Sequence, residues 1–369
     1  LCRLAADVQE EYLMGAFPST AFVTGATGLL GNHLVRQLLG GGSQVKALAR
    51  SRSKAEAQFA GLPVEIVTGD MCNVSGFAQH LRGVEVLFHT AAYFRESYTG
   101  GRHRDELFGV NVEGTRDLLS HAYGAGVRRF VHTSSSSVLT GKPGQLIDET
   151  MSRPVGEASD YSRSKIQADA EVAAFLRSHP DASACTVLPG WMVGPADIGP
   201  TASGQLILDF LRRKLPGIPP AQFPVVDARD VAQAHIEAAH SGRRGERFLV
   251  AGRSMEMSEL FCILQEVSGI PAPRRHVPLS LLYALAVVNE AWHFVSRKPV
   301  LISLVAVRWM AHERGRQHCD STKAQLELGV HFRPVRETLR DTVGWYRQNG
   351  WDHQMDRERK QLRPTGEWI

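Results

Sequence analysis

Thr24-Gly25-Ala26-Thr27-Gly28-Leu29-Leu30-Gly31 is the stretch that decides the fold of this chain. Its glycines recur at every third position, between the apolar run Ala21-Phe22-Val23 and the helical run Asn32 to Leu39. A strand that turns on glycines into a helix is the context that gives such spacing meaning. Gly25 permits a tight turn, Gly28 lets backbone approach a pyrophosphate, and Gly31 lets the helix lie close to the strand. The helix start adds unbonded N–H groups and the positive end of a dipole. A dinucleotide site is therefore expected at Gly25, Thr27, Gly28, Leu29, Leu30 and Gly31.

Working outward, Val45–Ala49, Val64–Val67, Val84–His89, Val127–Thr133 and Ala184–Leu188 read as further strands. Helical segments separate them, notably Asn111–Tyr123 and Tyr161–Leu176. Strands alternating with helices of this length argue for a parallel sheet covered on both faces. The expected class is α/β, a Rossmann-like doubly wound parallel sheet with a smaller interleaved substrate lobe. Beyond Pro189 the pattern loosens into Pro/Gly-rich stretches at Gly194–Pro200 and Pro216–Pro224, which suit a lobe over a pocket. Residues 1–18 are expected as an arm and 19–190 as the dinucleotide-binding domain. Residues 191–349 are expected as mainly substrate lobe, with returns to the first domain near 223–251. Residues 350–369 read as a charged, flexible tail.

Composition narrows the classes further. With 43% hydrophobic and 22% charged residues over 369 positions, the chain is globular. A net charge of +4, scattered along the sequence, does not imply nucleic acid. Five cysteines at wide, odd spacing resemble neither a disulfide scaffold nor a zinc knot, which suits a reducing cytoplasm. No histidine cluster has metal-ligand spacing, so no metal site is expected. The start of the chain lacks the basic and apolar regions of a signal peptide. The apolar stretches Leu279–Val288 and Pro299–Met310 are too short to span a bilayer. Buried helices are the expectation there, with peripheral membrane contact the less favoured alternative.

The second strand ends in Leu48-Ala49-Arg50-Ser51-Arg52-Ser53-Lys54. A NAD site places an acid here for the ribose hydroxyls. The acid is missing, and Arg50 and Ser51 can hold a 2′-phosphate, with Arg52 and Lys54 as weaker candidates. NADP(H) is the expected cofactor. Asp70, with Met71 beside it after the third strand, is a candidate acceptor for the adenine amino group; a plain turn role for Asp70 competes.

Tyr161 and Lys165 stand four apart, on one face of a helix. A phenol titrates near pKa ~10, and a neighbouring ammonium favours its anion. Tyr161 is then the expected acid/base, and Lys165 also a partner for the nicotinamide ribose. The strand Phe130–Thr133 runs into Ser134-Ser135-Ser136-Ser137, where a hydroxyl at a strand end faces the ligand crevice. The residues alone leave open which serine acts.

These pieces resemble the extended short-chain dehydrogenases/reductases. Within them the chain is similar to the dihydroflavonol-reductase-like and NAD(P)-dependent epimerase/dehydratase group, including hopanoid-associated sugar-epimerase-like proteins. TGATGLLG (24–31), HTAA (89–92), NVEGTRDLL (111–119), RRFVHTSS (128–135), YSRSK (161–165), PGWMVGP (189–195) and DARDVAQAH (227–235) carry the resemblance. It implies Ser135 as the active serine, with Ser136 as fallback, beside Tyr161 and Lys165. It also implies Asn111 as a fourth catalytic-site residue, one that shapes the active-site helix and assists a water-mediated proton path. Ala91 and Ala92 are implied beneath the cofactor, Pro189 and Val193 along the nicotinamide, and a homodimer as the assembly. Ala49 stands where NAD-using epimerases carry Asp, which argues against a standard NAD-bound sugar epimerase.

Tyr93, Phe94, Arg95, Tyr98, Trp191 and Met192 are candidates to line the substrate mouth. The leading expectation is NADP-dependent hydride transfer to or from a small-molecule carbonyl/alcohol. One alternative is a nucleotide-sugar epimerase that returns its hydride; another is a non-catalytic nucleotide-binding protein. Ser136 and Ser137 occupy the place of a dehydratase's acid, which disfavours dehydration.

Overall fold

The computed structural model describes residues 17–94, 104–296 and 303–351. Ten strands are β1 Thr20–Thr24, β2 Gln44–Ala49, β3 Val64–Thr68, β4 Val86–His89, β5 Arg129–Thr133, β6 Ser183–Pro189, β7 Trp191–Val193, β8 Gln222–Asp227, β9 Arg247–Val250 and β10 Arg253–Glu256. Seven form one sheet in the order β3-β2-β1-β4-β5-β6-β9, with every pair parallel. The chain runs outward one way from β1 and the other way from β4, so the order reverses between them. In open α/β sheets ligands bind at such a switch point, beyond the C-terminal strand ends.

Twelve α-helices are described: α1 Leu29–Gly40, α2 Arg52–Gln58, α3 Arg104–Phe108, α4 Gly114–Gly124, α5 Asp160–Ser178, α6 Ala202–Leu211, α7 Ala228–Ser241, α8 Met257–Ser268, α9 Leu279–Ser296, α10 Leu304–His312, α11 Thr322–Leu328 and α12 Val335–Gln348. Alternation along the inner strands shows why the sheet is covered on both faces. Ala21 and Val23 of β1 join the core under α1 and α7, whereas Phe22 joins the core under α4 and α5. Phe130 and Val131 of β5 divide the same way. Full burial of a side chain such as Phe22 contributes roughly 1.5–3 kcal/mol.

Gly190 is where the chain leaves the large sheet. A Cβ there would lie 2.9 Å from Ala251 Cα, so only glycine passes. β7 then pairs parallel with β8, and β8 antiparallel with β10, in a three-stranded sheet of the second lobe. Its core gathers Val193, Leu208, Val225, Phe261, Leu339 and Tyr346.

The expected return at Phe223–Ala239 divides in the structure. Its strand, β8, belongs to the small sheet, whereas its helix, α7, packs on α1, β5 and β6. The return at Arg247–Ala251 is β9, beside β6. A later segment also comes back: α11 packs on α7 and β9, and Ala324, Leu328 and Val330 join the large-sheet core. Helix α9 continues through Asn289 and Glu290, where the sequence pattern stopped. Among the described residues no helix is long and apolar enough to cross a membrane.

Candidate active site

The turn after β1 explains its glycines one by one. Gly25 has φ +65°, and a Cβ on it would lie 2.7 Å from Ala91 N. A Cβ on Gly31 would strike the Gly25 carbonyl and lie 2.8 Å from Ala26 Cα. Both positions are glycine because the fold requires it. Gly28 differs: it is exposed, and a Cβ there would meet only Gly25 O, at 3.3 Å. Its open side faces the start of α1, which no side chain caps and which has no acid in its first turn. Leu29 and Leu30 bury their side chains, and Thr27 is half-buried beside the opening. This donor set fits the pyrophosphate of a dinucleotide.

Next along the sheet edge, Ala49 ends β2 with Arg50 exposed beyond it. Ser51 caps α2, accepting from Lys54 N at 3.4 Å, and its Oγ lies 3.2 Å from Ser53 Oγ. Arg52 is turned away: it donates to Ile66 O at 3.1 Å and pairs with Glu56 at 3.7 Å. Lys54 is exposed. Asp70 accepts from Cys72 N at 2.8 Å, so this carboxylate closes its own turn, and the Met71 side chain is buried.

The serine run separates into distinct environments. Ser134 is buried, and its Oγ donates to Asp169 Oδ2 at 2.8 Å. Ser135 is half-buried and caps the short turn Ser136–Val138, accepting from Ser137 N at 3.2 Å. Ser134 is thus committed to the core, while Ser135 is the first hydroxyl beyond β5 that is accessible.

Helix α5 begins where Ser159 accepts from Ser162 N at 3.1 Å. Tyr161 is half-buried, its ring edge-on to that of Phe94 with centroids 4.4 Å apart. Arg95 and Tyr98, the other mouth candidates on that loop, lie outside the described residues. One turn after Tyr161, Lys165 is 2% exposed, and its Nζ donates to Thr133 O at 2.6 Å. Burial lowers the Lys165 amine to about 8, and the charge of Asp169 acts in the opposite direction.

Asn111 lies in a π-helical turn, Gly109–Glu113, between α3 and α4. Its Oδ1 accepts from Tyr93 N at 2.7 Å, and its Nδ2 donates to Tyr93 O at 3.1 Å and Ser164 Oγ at 3.0 Å. Ser164 Oγ in turn donates to Tyr161 O at 2.7 Å. With 1% exposure, Asn111 is a positioning residue that ties the loop after β4 to the first turn of α5. Ala91 is half-buried and donates its N–H to Thr24 Oγ1 at 3.1 Å, and Ala92 is exposed. Pro189 ends β6 and is buried, and Val193 lies in the lobe core. Asp230, expected to cap or anchor a helix, receives the backbone N–H of Arg333 at 2.7 Å, and Asp227 is the cap of α7.

Beneath the site is a buried polar layer that sequence reading largely missed. His89 bridges Thr24 Oγ1 at 2.9 Å and Thr115 Oγ1 at 2.8 Å. The His132 ring centroid is 5.4 Å from that of His89, and its Nε2 is 3.2 Å from Asp169 Oδ1. His235 lies 2.8 Å from Thr133 Oγ1 and 2.7 Å from Val231 O. Burial lowers the pKa of all three imidazoles, that of His235 to about 4. One signal for Asp169 was available: it follows Tyr161 and Lys165 at the same four-residue step along α5.

Comparison with known proteins agrees with this geometry. The model of the NAD dependent epimerase/dehydratase family matches residues 21–251. A Synechocystis sp. protein provisionally named a dihydroflavonol 4-reductase is 34% identical over 336 residues, covering 89% of this chain and 95% of its own. Sterol demethylase protein B of Methylococcus capsulatus is 36% identical over 336 residues, covering 90% of this chain and 99% of its own. The crystal structure of a nucleoside-diphosphate-sugar epimerase from Pseudomonas aeruginosa is similar with a TM-score of 0.73 at 25% identity, covering 90% of this chain and 98% of that one. With a glycine turn at the switch point and a family match across the whole large sheet, this chain belongs to the NAD dependent epimerase/dehydratase family of extended short-chain dehydrogenases/reductases and is an NAD(P)-dependent hydride-transfer enzyme.

Proposed function

We propose that the chain is an NADP-dependent reductase or dehydrogenase that interconverts a carbonyl and an alcohol. Two observations support this reading: Ala49 in place of an acid with Arg50 exposed at the end of β2, and Lys165, buried one turn after Tyr161 and hydrogen-bonded to the carbonyl of Thr133, two residues before Ser135. That contact brings the start of α5 to the end of β5. When bound, NADP(H) supplies or accepts the hydride. Ser135 binds the substrate oxygen, and Tyr161 gives it a proton or takes one away. Lys165 favours the Tyr161 phenolate by its charge and holds the nicotinamide ribose. Asn111 fixes the helix turn that carries Tyr161. Arg50 and Ser51, with no acid at Ala49, favour a 2′-phosphate and hence NADP(H) over NAD(H). Ala91, Ala92, Pro189 and Val193 flank the cofactor in this reading. The described cysteines are all unpaired, which supports a cytoplasmic setting.

A second reading has its own support. The family model and the Pseudomonas aeruginosa structure favour epimerisation of a nucleotide sugar, in which the same residues oxidise the substrate and then return the hydride to it. The absorbance of NADPH separates the two. Consumption with a panel of aldehydes and ketones, lost in Tyr161→Phe, supports the reductase. Flat absorbance while a nucleotide sugar changes configuration overturns it in favour of the epimerase.

A further inference from the structure

Helix α9 is apolar on its inner face and apolar again over much of its outer one. Leu282 and Ala286 pack inward with Val277 and Val307. Glu290, its one acid, is half-buried and accepts the backbone N–H of Leu304 at 3.0 Å. The outward positions are Leu281 at 49% exposure, Leu285 at 37%, Val287 at 54%, Val288 at 64% and Trp292 at 60%. Ala284 and Ala291 are also exposed. These residues follow a helical spacing and form one continuous apolar face, and water gives no reason to hold such a face open.

The segment that carries this face is rich in cations. Residues 271–312 contain five Lys/Arg, namely Arg274, Arg275, Arg297, Lys298 and Arg308, and one acid, Glu290. That segment's net charge of +4 equals the net charge of the whole chain. Arg274, Arg275 and Arg308 are exposed. The acid is withdrawn into a hydrogen bond, so the outward chemistry is apolar with a cationic border and a tryptophan at one end. A bilayer with anionic headgroups complements each part. A charged protein surface would leave the apolar face uncovered. Among the described residues no helix is long and apolar enough to cross a membrane, so a contact in the surface plane is the arrangement that suits α9.

A chain of packed rings runs from the helix beside α9 to β7. Helix α10 packs on α9, and its Trp309 stacks on Phe223, with centroids 5.0 Å apart. Phe223 stacks on Trp191 at 4.6 Å, two residues after Pro189. We propose that the outward face of α9 docks this protein on the surface of an anionic lipid bilayer.

The test is sedimentation of the full chain with vesicles of phosphatidylcholine alone or mixed with phosphatidylglycerol. The expected result is binding to the mixed vesicles, weakened about tenfold or more by high salt or by omission of the anionic lipid. Val288→Glu/Trp292→Glu is expected to lose at least about tenfold in affinity for the mixed vesicles while keeping the wild-type Tm, since both positions are exposed. Wild type that stays in the supernatant at low salt, or a double variant that sediments equally well, overturns the proposal. So does a dimer in light scattering that the same two substitutions dissolve without any vesicle binding, because a second copy of the chain then covers the face.

Discussion

At the scale of single residues, the site depends on how two side chains on α5 share a task. In the proposed mechanism Tyr161 moves a proton near neutral pH, whereas a free phenol titrates near pKa ~10 in water. In that proposal the charge of Lys165 favours the phenolate, and Asp169, on the same stripe, favours the charged form of Lys165. Tyr161→Phe is expected to lower kcat about 10²–10⁴-fold with NADPH affinity retained, measured by single-turnover kinetics beside a binding titration. Arg50→Asp is expected to weaken NADPH binding about tenfold or more, and to leave NADH binding far less affected, as fluorescence titration of the two cofactors reads it. The Tyr161/Lys165 spacing and the strand-end serines were legible because they are local in sequence. Ser134 bonded to Asp169, and His132 beside it, were not legible, because those partners lie on different elements and meet only after β5 and α5 have packed.

The element that joins fold to function is the β1–α1 turn. Its glycines share a spacing but not a reason. Gly31→Ala forces a methyl against the Gly25 carbonyl and is expected to destabilise the protein by about 1–3 kcal/mol, read by denaturant unfolding. Gly28→Ala meets no comparable obstacle inside the protein. It is expected to leave Tm near wild type and to weaken dinucleotide binding, so calorimetry of both variants separates packing from cofactor clearance. The sequence reading gave the turn to Gly25, pyrophosphate approach to Gly28 and helix packing to Gly31; the structure adds the φ of Gly25 and the close contacts at Gly25 and Gly31. Helix α9 shows a similar limit. The apolar pattern stops at Asn289 and Glu290, yet the helix continues, with Glu290 accepting the first backbone N–H of α10. Asp70 holds its own turn through Oδ1, which accepts from Cys72 N, a local bond that the sequence reading offered as its competing role.

Across the whole molecule, the order β3-β2-β1-β4-β5-β6-β9 places the glycine turn and the loop after β4 at one crevice, with the serine run one strand over. Strand alternation announced this sheet through β6. The interleaving beyond it was only partly visible: β8 and α7 are contiguous in sequence but serve different sheets, and α11 returns through a short segment without a strong pattern.

The buried histidine layer beneath the crevice predicts a pH response of the entire fold. His235 is lowered from 6.5 to about 4 by burial. Between those values the unfolded chain binds a proton that the native one refuses, so stability falls as pH drops from 6.5 toward 4. Melting curves across that window are expected to show this loss, with a shallower slope in His235→Gln.

The central claim is hydride transfer between a nicotinamide and a carbonyl carbon. Its most direct measurement uses NADPH deuterated in turn on each face of nicotinamide C4, with a ketone substrate and mass spectrometry of the alcohol. The account predicts that deuterium from one face appears at the new carbinol carbon with wild type, and that Tyr161→Phe slows its appearance about 10²-fold or more. Alcohol formed without label from either face would contradict it.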